Sequence, residues 1–497
     1  MKKLAFVAAF VLLIGAFSAC KKIESTDASS GTTTASVTAS LTLQAENPPE
    51  TTLSSEETTA VPETALPETT TAQTTATPAV TTVTTTAKAP ETTTAPPATT
   101  TTAAPATTTA APVTTAATTA AQSGSVYPAS SYTALNYQEQ KAMWISYLEF
   151  QNILKGKSQA QFTASVKAMY DNCVSMGINT VYVHARSHSD AFYPSQLFPW
   201  SLNCTGTIGV APGFDPFQIL VDEAHNRGLS IHAWVNPMRG LKDTDMQKTG
   251  NQFLIKQWYN DTNKRGNYIV LVGDTWYCSP AYQEVRNLIV DGVKEIVSKY
   301  KVDGVHIDDY FYPTTAASFD QTIYASSGAT NLSQWRLDTV SKMVKDMYNG
   351  IKSVNPTVLF GVSPQGNVNN NYASQFADVR KWASTPGYLD YLVPQIYFGF
   401  NNSSQPYATN LQSWCDMVTL PNVKLVVGLA PYKIGTAEST GEWANDTRII
   451  ARQVETFRAQ PKYGGAAFFR YESLFSPGAS VAAKVAAERS ELTAILN

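Results

Sequence analysis

Eight short apolar runs, separated by helix-length amphipathic stretches, constrain this chain more than any other feature. The runs are KAMWISY (141–147), INTVYVHA (178–185), LSIHAWVNP (229–237), VDGVHIDDY (302–310), VLFGVSP (358–364), YLVPQIY (391–397), KLVVGLAPY (424–432) and YGGAAFFRY (463–471). Near-continuous Val, Ile, Leu and Phe marks strands buried on both faces, as in parallel sheets. The segments between them read as helices. In FDPFQILVDEAHNRG, Asp215 is placed as an N-cap, Pro216 suits the first helical position, and Gln218 stands where a capping box wants it. Phe217, Leu220, Val221 and Ala224 form its apolar face, and Gly228 is a good stop. Ser279-Pro280 opens a second such segment, with the stripe Val285, Leu288, Ile289, Ile296 and Val297. Eight strands joined by helix-sized connections predict an α/β fold, a (β/α)8 TIM barrel; a doubly wound open sheet is the alternative.

The barrel fills only part of the 497 residues. All 9 tryptophans lie after Ser125, and residues 21–125 hold no aromatic ring, being mostly Thr, Ala, Pro, Val and Glu. Without large apolar groups such a tract cannot offset its ordering entropy. It reads as a disordered stalk, with the linker taken to residue 135 and the barrel as 136–497. Ahead of it, MKKLAFVAAFVLLIGAFSAC has the two lysines, short apolar run and small residues of a secretory signal. Its end, Ser18-Ala19-Cys20, resembles a bacterial lipobox, which predicts Cys20 as a lipidated residue after a signal spanning 1–20. Phe17 departs from the aliphatic residue usual at that position, and an ordinary cleaved signal with an incidental cysteine is the other reading. The expectation is an exported protein, lipid-anchored at the cell surface. With a formal net charge of −3, nothing suggests a nucleic-acid binder. Cys173, Cys204, Cys278 and Cys415 form no CxxC or zinc spacing, so no metal or cofactor is expected; outside the cell they permit one or two disulfides.

In a (β/α)8 barrel, function sits at the C-terminal strand ends. Here those ends are polar: His184, Arg186 and His188 on the second; Trp234, Asn236 and Arg239 on the third; Asp308, Asp309 and Tyr310 on the fourth. Ser363 and Gln365, Gln395 and Tyr397, Tyr432 and Lys433, and Arg470 and Glu472 follow on the fifth to eighth. Alternation puts Gly304, His306 and Asp308 on one face and Val305 and Ile307 on the other. If the aliphatic pair meets the helices, Asp308 points into the barrel, and Asp309 joins it only if the strand ends or bends there.

The stretches DPFQILVDEAHNRGLSIHAWVNPMR, VDGVHIDDYFYP, FGVSPQG and YLVPQIYFG resemble the glycosyl-hydrolase-like family ten of bacterial surface proteins, over about residues 140–475. The resemblance implies a (β/α)8 barrel and a lipoprotein glycosidase acting on peptidoglycan strands stripped of their stem peptides, an amino-sugar glycan. It leaves the bond open.

Glycoside hydrolysis generally needs two carboxyl groups, and Asp308 and Asp309 provide a pair whose proximity raises one pKa. Two mechanisms fit. The spacing from Asp303 to Asp308 is similar to amylase-type barrels, in which the second aspartate is the nucleophile. The tandem pair also resembles enzymes in which one aspartate orients the substrate's acetamido oxygen as nucleophile and its neighbour is the acid. Tyr397 then resembles the tyrosine steadying the acetamido group in chitinase-type barrels, although Tyr310 stands where those carry Glu. The expected catalytic residues are Asp308, Asp309 and Tyr397. The expected substrate-binding residues are Arg186, His184, Trp234, Asn236, Tyr310, Gln365, Gln395 and Tyr432. Arg186 also reads as an ion-pair partner of Asp308, Asp309 as a partner of His306 or Arg186, and Asp303 as a structural turn residue. A non-catalytic cell-wall glycan-binding lipoprotein, or a glycosidase for another polysaccharide, are the alternative functions.

Overall fold

Strands that are apolar on both faces need cover on both, and here they find it by closing on themselves. A computed structural model describes residues 127–497; the signal, Cys20 and the stalk up to residue 126 lie outside the described residues. Eleven strands follow in chain order: β1 (Gln140–Ile145), β2 (Thr180–Arg186), β3 (Ser230–Val235), β4 (Arg239–Lys242), β5 (Ile269–Val272), β6 (Thr275–Cys278), β7 (Gly304–Ile307), β8 (Leu359–Val362), β9 (Tyr391–Leu392), β10 (Lys424–Leu429) and β11 (Tyr463–Phe468). Eight of them, β1–β3 and β7–β11, form a closed parallel barrel, and β1 seals it by pairing Gln140 with Gly465 of β11. The open-sheet alternative is excluded. Each of the eight apolar runs supplies one barrel strand.

The alternation sorts side chains as expected. Val181, Val183, Ile231, Ala233, Val305, Ile307, Phe360 and Val362 join the large core under the helices. Tyr182, Trp234, Trp144 and Tyr391 fill the barrel interior instead. That filling is aromatic and polar. The Trp144 Nε1–H donates to His306 Nε2 at 3.1 Å, so His306 presents Nδ1–H to the Tyr391 hydroxyl, 3.2 Å away. His232 Nδ1 lies 2.6 Å from the same hydroxyl, and Tyr182 stacks on His306 at 4.1 Å. Rings this large fit only where the backbone yields room. A Cβ at Gly304 would collide with the His232 ring, and one at Gly361 with the Tyr391 ring.

The floor of the barrel is stapled by Asp303. It accepts from the Tyr132 hydroxyl (2.6 Å), Leu135 N (2.6 Å), Ile231 N (2.8 Å) and His225 Nε2 (3.0 Å). Residues 130–135, expected in the linker, are therefore fastened under the barrel; Ser130 N also donates to Val354 O at 2.9 Å. The linker boundary at 135 was set by composition, which does not register these single hydrogen bonds.

Other local expectations are corrected. Asp215 caps its helix, accepting from Phe217 N and Gln218 N at 3.1 Å each. Gln218 does not complete a capping box; its amide donates to Asp222 at 2.8 Å, one turn on. The helix expected from Ser279-Pro280 starts at Gln283. Between β3 and β7 stands an unforeseen antiparallel sheet, ordered β4-β6-β5. Its signal was IVLVGDTWYC, two short β-prone arms around a Gly-Asp turn, and Gly273 has φ +62°. Cys173, Cys204, Cys278 and Cys415 are buried free thiols.

Candidate active site

β7 ends at Ile307, so Asp308 continues its inward face while Asp309 leaves the ladder. Both carboxylates thus reach the mouth. Asp308 is 5% exposed. Its Oδ1 accepts from Asn236 Nδ2 at 2.6 Å and Tyr310 N at 3.2 Å, and its Oδ2 from Trp234 Nε1 at 3.1 Å. Behind Asn236 the orientation is determined group by group. The Tyr147 N–H donates to His184 Nδ1 (3.1 Å), so His184 Nε2–H must donate to Asn236 Oδ1 (2.9 Å). That fixes the Asn236 amide with its nitrogen toward Asp308. Burial holds His184 well below the usual histidine range, which keeps it neutral for this role. His184 also stacks on Trp234 at 3.4 Å.

Asp309 sits among carboxamides. Gln395 Nε2 reaches its Oδ1 at 3.2 Å, and Gln375 and Gln365 also hydrogen-bond it. Gln395 bridges back to Ser363 O at 3.1 Å, tying the Asp309 side to β8. Burial raises Asp309, with the three glutamines pulling against it. Burial, then the charge of Asp309, pushes Asp308 up to about 7, while Arg239, Asn236 and the Tyr310 amide oppose. Two adjacent acids in a desolvated mouth cannot both ionise freely, so the pair keeps a proton toward neutral pH.

Tyr397 lies close enough to both aspartates for their charge to raise its phenol, after burial and Tyr432. Its ring meets Tyr432 at 5.9 Å and Phe469 at 6.1 Å, making an aromatic corner. Tyr432 is 36% exposed and presents its ring at the rim. Tyr310 lies under the guanidinium of Arg239, 4.3 Å from its ring centroid.

The predicted residues therefore separate. Asp308, Asp309, Tyr397, Tyr310, Gln365, Gln395 and Tyr432 gather at the mouth. His184, Asn236 and Trp234 are there too, but their polar atoms are committed to holding Asp308, and one Trp234 face is covered by His184. They position the acid. Arg186 is a correction. Its guanidinium lies 4.0 Å over Phe198, against Gly292 of the helix Gln283–Lys299, behind the sheet. The cause is a register shift between His184 and Arg186 in the β2–β3 pairing, which turns Arg186 off the inward face. It pairs with neither aspartate, and Asp309 meets glutamines rather than His306 or Arg186. Lys433 bonds Glu438 at 2.7 Å, and Arg470 bonds Glu149 at 2.6 Å, as rim ion pairs.

Two contributors were not foreseen as site residues. Arg239 is the cation that acts on Asp308. It stood at a strand end in the sequence, but only the unforeseen sheet places it. Gln375 belongs to the loop after β8, where no periodicity marks it. Its neighbour Phe376 adopts φ +54°, costly for a side chain of that size, and packs on Tyr312 at 5.2 Å. Among the described residues, no three His, Cys, Asp or Glu side chains gather as metal ligands.

The family described as Glycosyl hydrolase-like 10 matches residues 139–445. The glycosyl hydrolase DigH of Escherichia coli K12 is 34% identical over 333 residues, covering 62% of this chain and 75% of that protein. The glycosyl hydrolase YngK of Bacillus subtilis 168 is 32% identical over 363 residues, covering 68% and 69%. Among solved structures, the glycoside hydrolase domain of PgaB (BpsB) from Bordetella bronchiseptica covers 71% of this chain and 99% of its own, at 10% identity and a TM-score of 0.47.

Proposed function

This chain belongs to the Glycosyl hydrolase-like 10 family, and from that premise we propose that it hydrolyses glycosidic bonds in an N-acetylhexosamine glycan, peptidoglycan in particular. The observation that carries the reading is the buried pair Asp308 and Asp309, facing Tyr397 at the barrel mouth. One carboxyl that keeps its proton near neutrality can protonate a leaving oxygen. Its ionised neighbour can hold the N–H of a 2-acetamido group, so that the amide oxygen attacks the anomeric carbon. Tyr397, whose phenol feels the charge of both aspartates, takes the part of steadying that oxygen, and the neutral glutamines around Asp309 suit an amide-bearing sugar. Tyr432 offers a ring on which the C–H face of a sugar can rest.

The leader and Cys20 support export and a lipid anchor at the bacterial surface, with the Thr/Ala/Pro tract as tether. Residues 130–135 join the barrel floor, the face opposite the aspartates.

The test is digestion of purified, peptide-free peptidoglycan strands beside chitin oligomers and α-glucans, with product masses recorded. Cleavage of the amino-sugar strands supports the proposal. Cleavage of α-glucans alone overturns the substrate, and binding without turnover by the native protein overturns the activity.

A further inference from the structure

Arg239 is a buried cation that no acid among the described residues neutralises at contact. It is 7% exposed, and no Asp or Glu among the described residues forms an ion pair with it. Buried Arg336 shows the usual arrangement, bonding Asp320 at 2.6 Å and 2.9 Å. Arg239 instead lies between two rings, 4.3 Å from the Tyr310 centroid and 5.5 Å from that of Tyr147. Its Nη2 donates to His188 Nε2 at 2.5 Å, which requires His188 to be neutral there and to turn Nδ1–H toward Ser187 Oγ, 2.9 Å away. Its Nε–H has no acceptor among the described residues. Arg186 also has unpartnered nitrogens, but it is shut behind the sheet by Phe198 and the helix at Gly292. Arg239 stands where the loops after β1, β2, β3 and β7 meet, near Asp308.

Desolvating a guanidinium without a counter-ion at contact is costly, and ring faces, the Tyr147 hydroxyl, a neutral imidazole and the more distant charge of Asp308 offset only part of it. Such a group is prepared for an arriving anion: planar, fixed by its neighbours, and with a donor unspent. We propose that Arg239 is a carboxylate-binding subsite, which receives an acid group carried on a sugar beside the bond to be cut. The proposal rests on the glycosidase reading for its substrate and adds that the substrate is an acidic sugar. A lactyl ether acid and a ring uronate share this chemistry. In peptidoglycan strands the lactyl group is a free carboxylate once the stem peptide is gone and an amide while it is attached. Arg239 would therefore separate the two states, since an amide brings no charge to the guanidinium.

The experiment measures binding apart from turnover. D308N and D308N/R239Q are titrated calorimetrically with a peptide-free peptidoglycan disaccharide, its lactyl carboxamide, and a hexuronate-containing disaccharide. In D308N the free acid should bind about tenfold more tightly than the carboxamide, or better. R239Q should abolish that difference and leave carboxamide affinity within about twofold, while R239K keeps part of it. Preference for the uronate instead of the lactyl acid assigns the subsite to a ring carboxylate. Equal binding of acid and amide, or equal loss of both in R239Q, overturns the proposal. Wild-type turnover of peptide-free strands is measured in parallel. Its absence alongside carboxylate-selective binding would sink the glycosidase reading and leave the subsite standing.

Discussion

The two sides of the barrel mouth are built on opposite plans. On the side of β1 to β7, the polar atoms around Asp308 follow one directed series from Tyr147 N through His184 and Asn236. A cation stands beside it. On the side of β8 to β11, Asp309 has only neutral amides, from Gln365, Gln375 and Gln395, and beyond them three aromatic rings. Both acids are raised mainly by burial, but what opposes burial differs. The first side opposes it with aimed donors and a charge, and the second with three neutral carboxamides and the Asp309 backbone N–H. The first side should therefore be brittle to single substitutions and the second tolerant.

The largest effect tests whether the boundary between the sides is the reaction centre. Asp308→Asn and Asp309→Asn should each lower kcat on the cleaved glycan by about a thousandfold, with binding kept. A variant retaining a tenth of the wild-type rate would remove that residue from the chemistry. In the wild type, kcat/KM should fall as pH rises through about 7, because the pair's proton is then lost.

The next effect compares the two supports. Asn236 favours the Asp308 anion, so Asn236→Ala raises that pKa and moves the alkaline limb of the pH–rate profile upward, by roughly one unit. Gln395→Ala removes one of three amides from Asp309 and should move the limb less. Equal shifts would erase the proposed contrast.

A smaller effect is on stability. Both aspartates are raised above the ordinary 3.8, Asp308 to about 7, so folding takes up protons above pH 3.8, and for Asp308 that window reaches about 7. Their contribution is therefore present at low pH and declines as pH climbs through that window. Asp309→Asn should raise the thermal midpoint at pH 8 by about 2 °C relative to its effect at pH 5. A midpoint change independent of pH would break the account. The smallest effect is Tyr432→Ala: a KM a few-fold higher with kcat unchanged, read by steady-state kinetics, as suits an exposed ring.

Legibility in the sequence followed how local each cause was. The barrel strands were readable because burial on both faces writes a continuous apolar run. The position of Asp308 followed from alternation along β7 alone. Arg186 was expected at the mouth because it ends the second strand, but one shifted pairing in β2 turns it to the other face. Trp234 and Asn236 were expected at the mouth as substrate-binding residues, and both hydrogen-bond Asp308 there. Their commitment to Asp308 depends on a neighbouring strand, which no spacing within β3 encodes.

The sequence by itself determined a barrel of eight strands, with two aspartates at the end of the fourth, because strand periodicity and burial act within a few residues. Only the tertiary structure decided which cation serves Asp308 and which amides surround Asp309. Those contacts join loops after different strands, and a guanidinium's counterpart is set by what the closed barrel brings within a few ångströms of it.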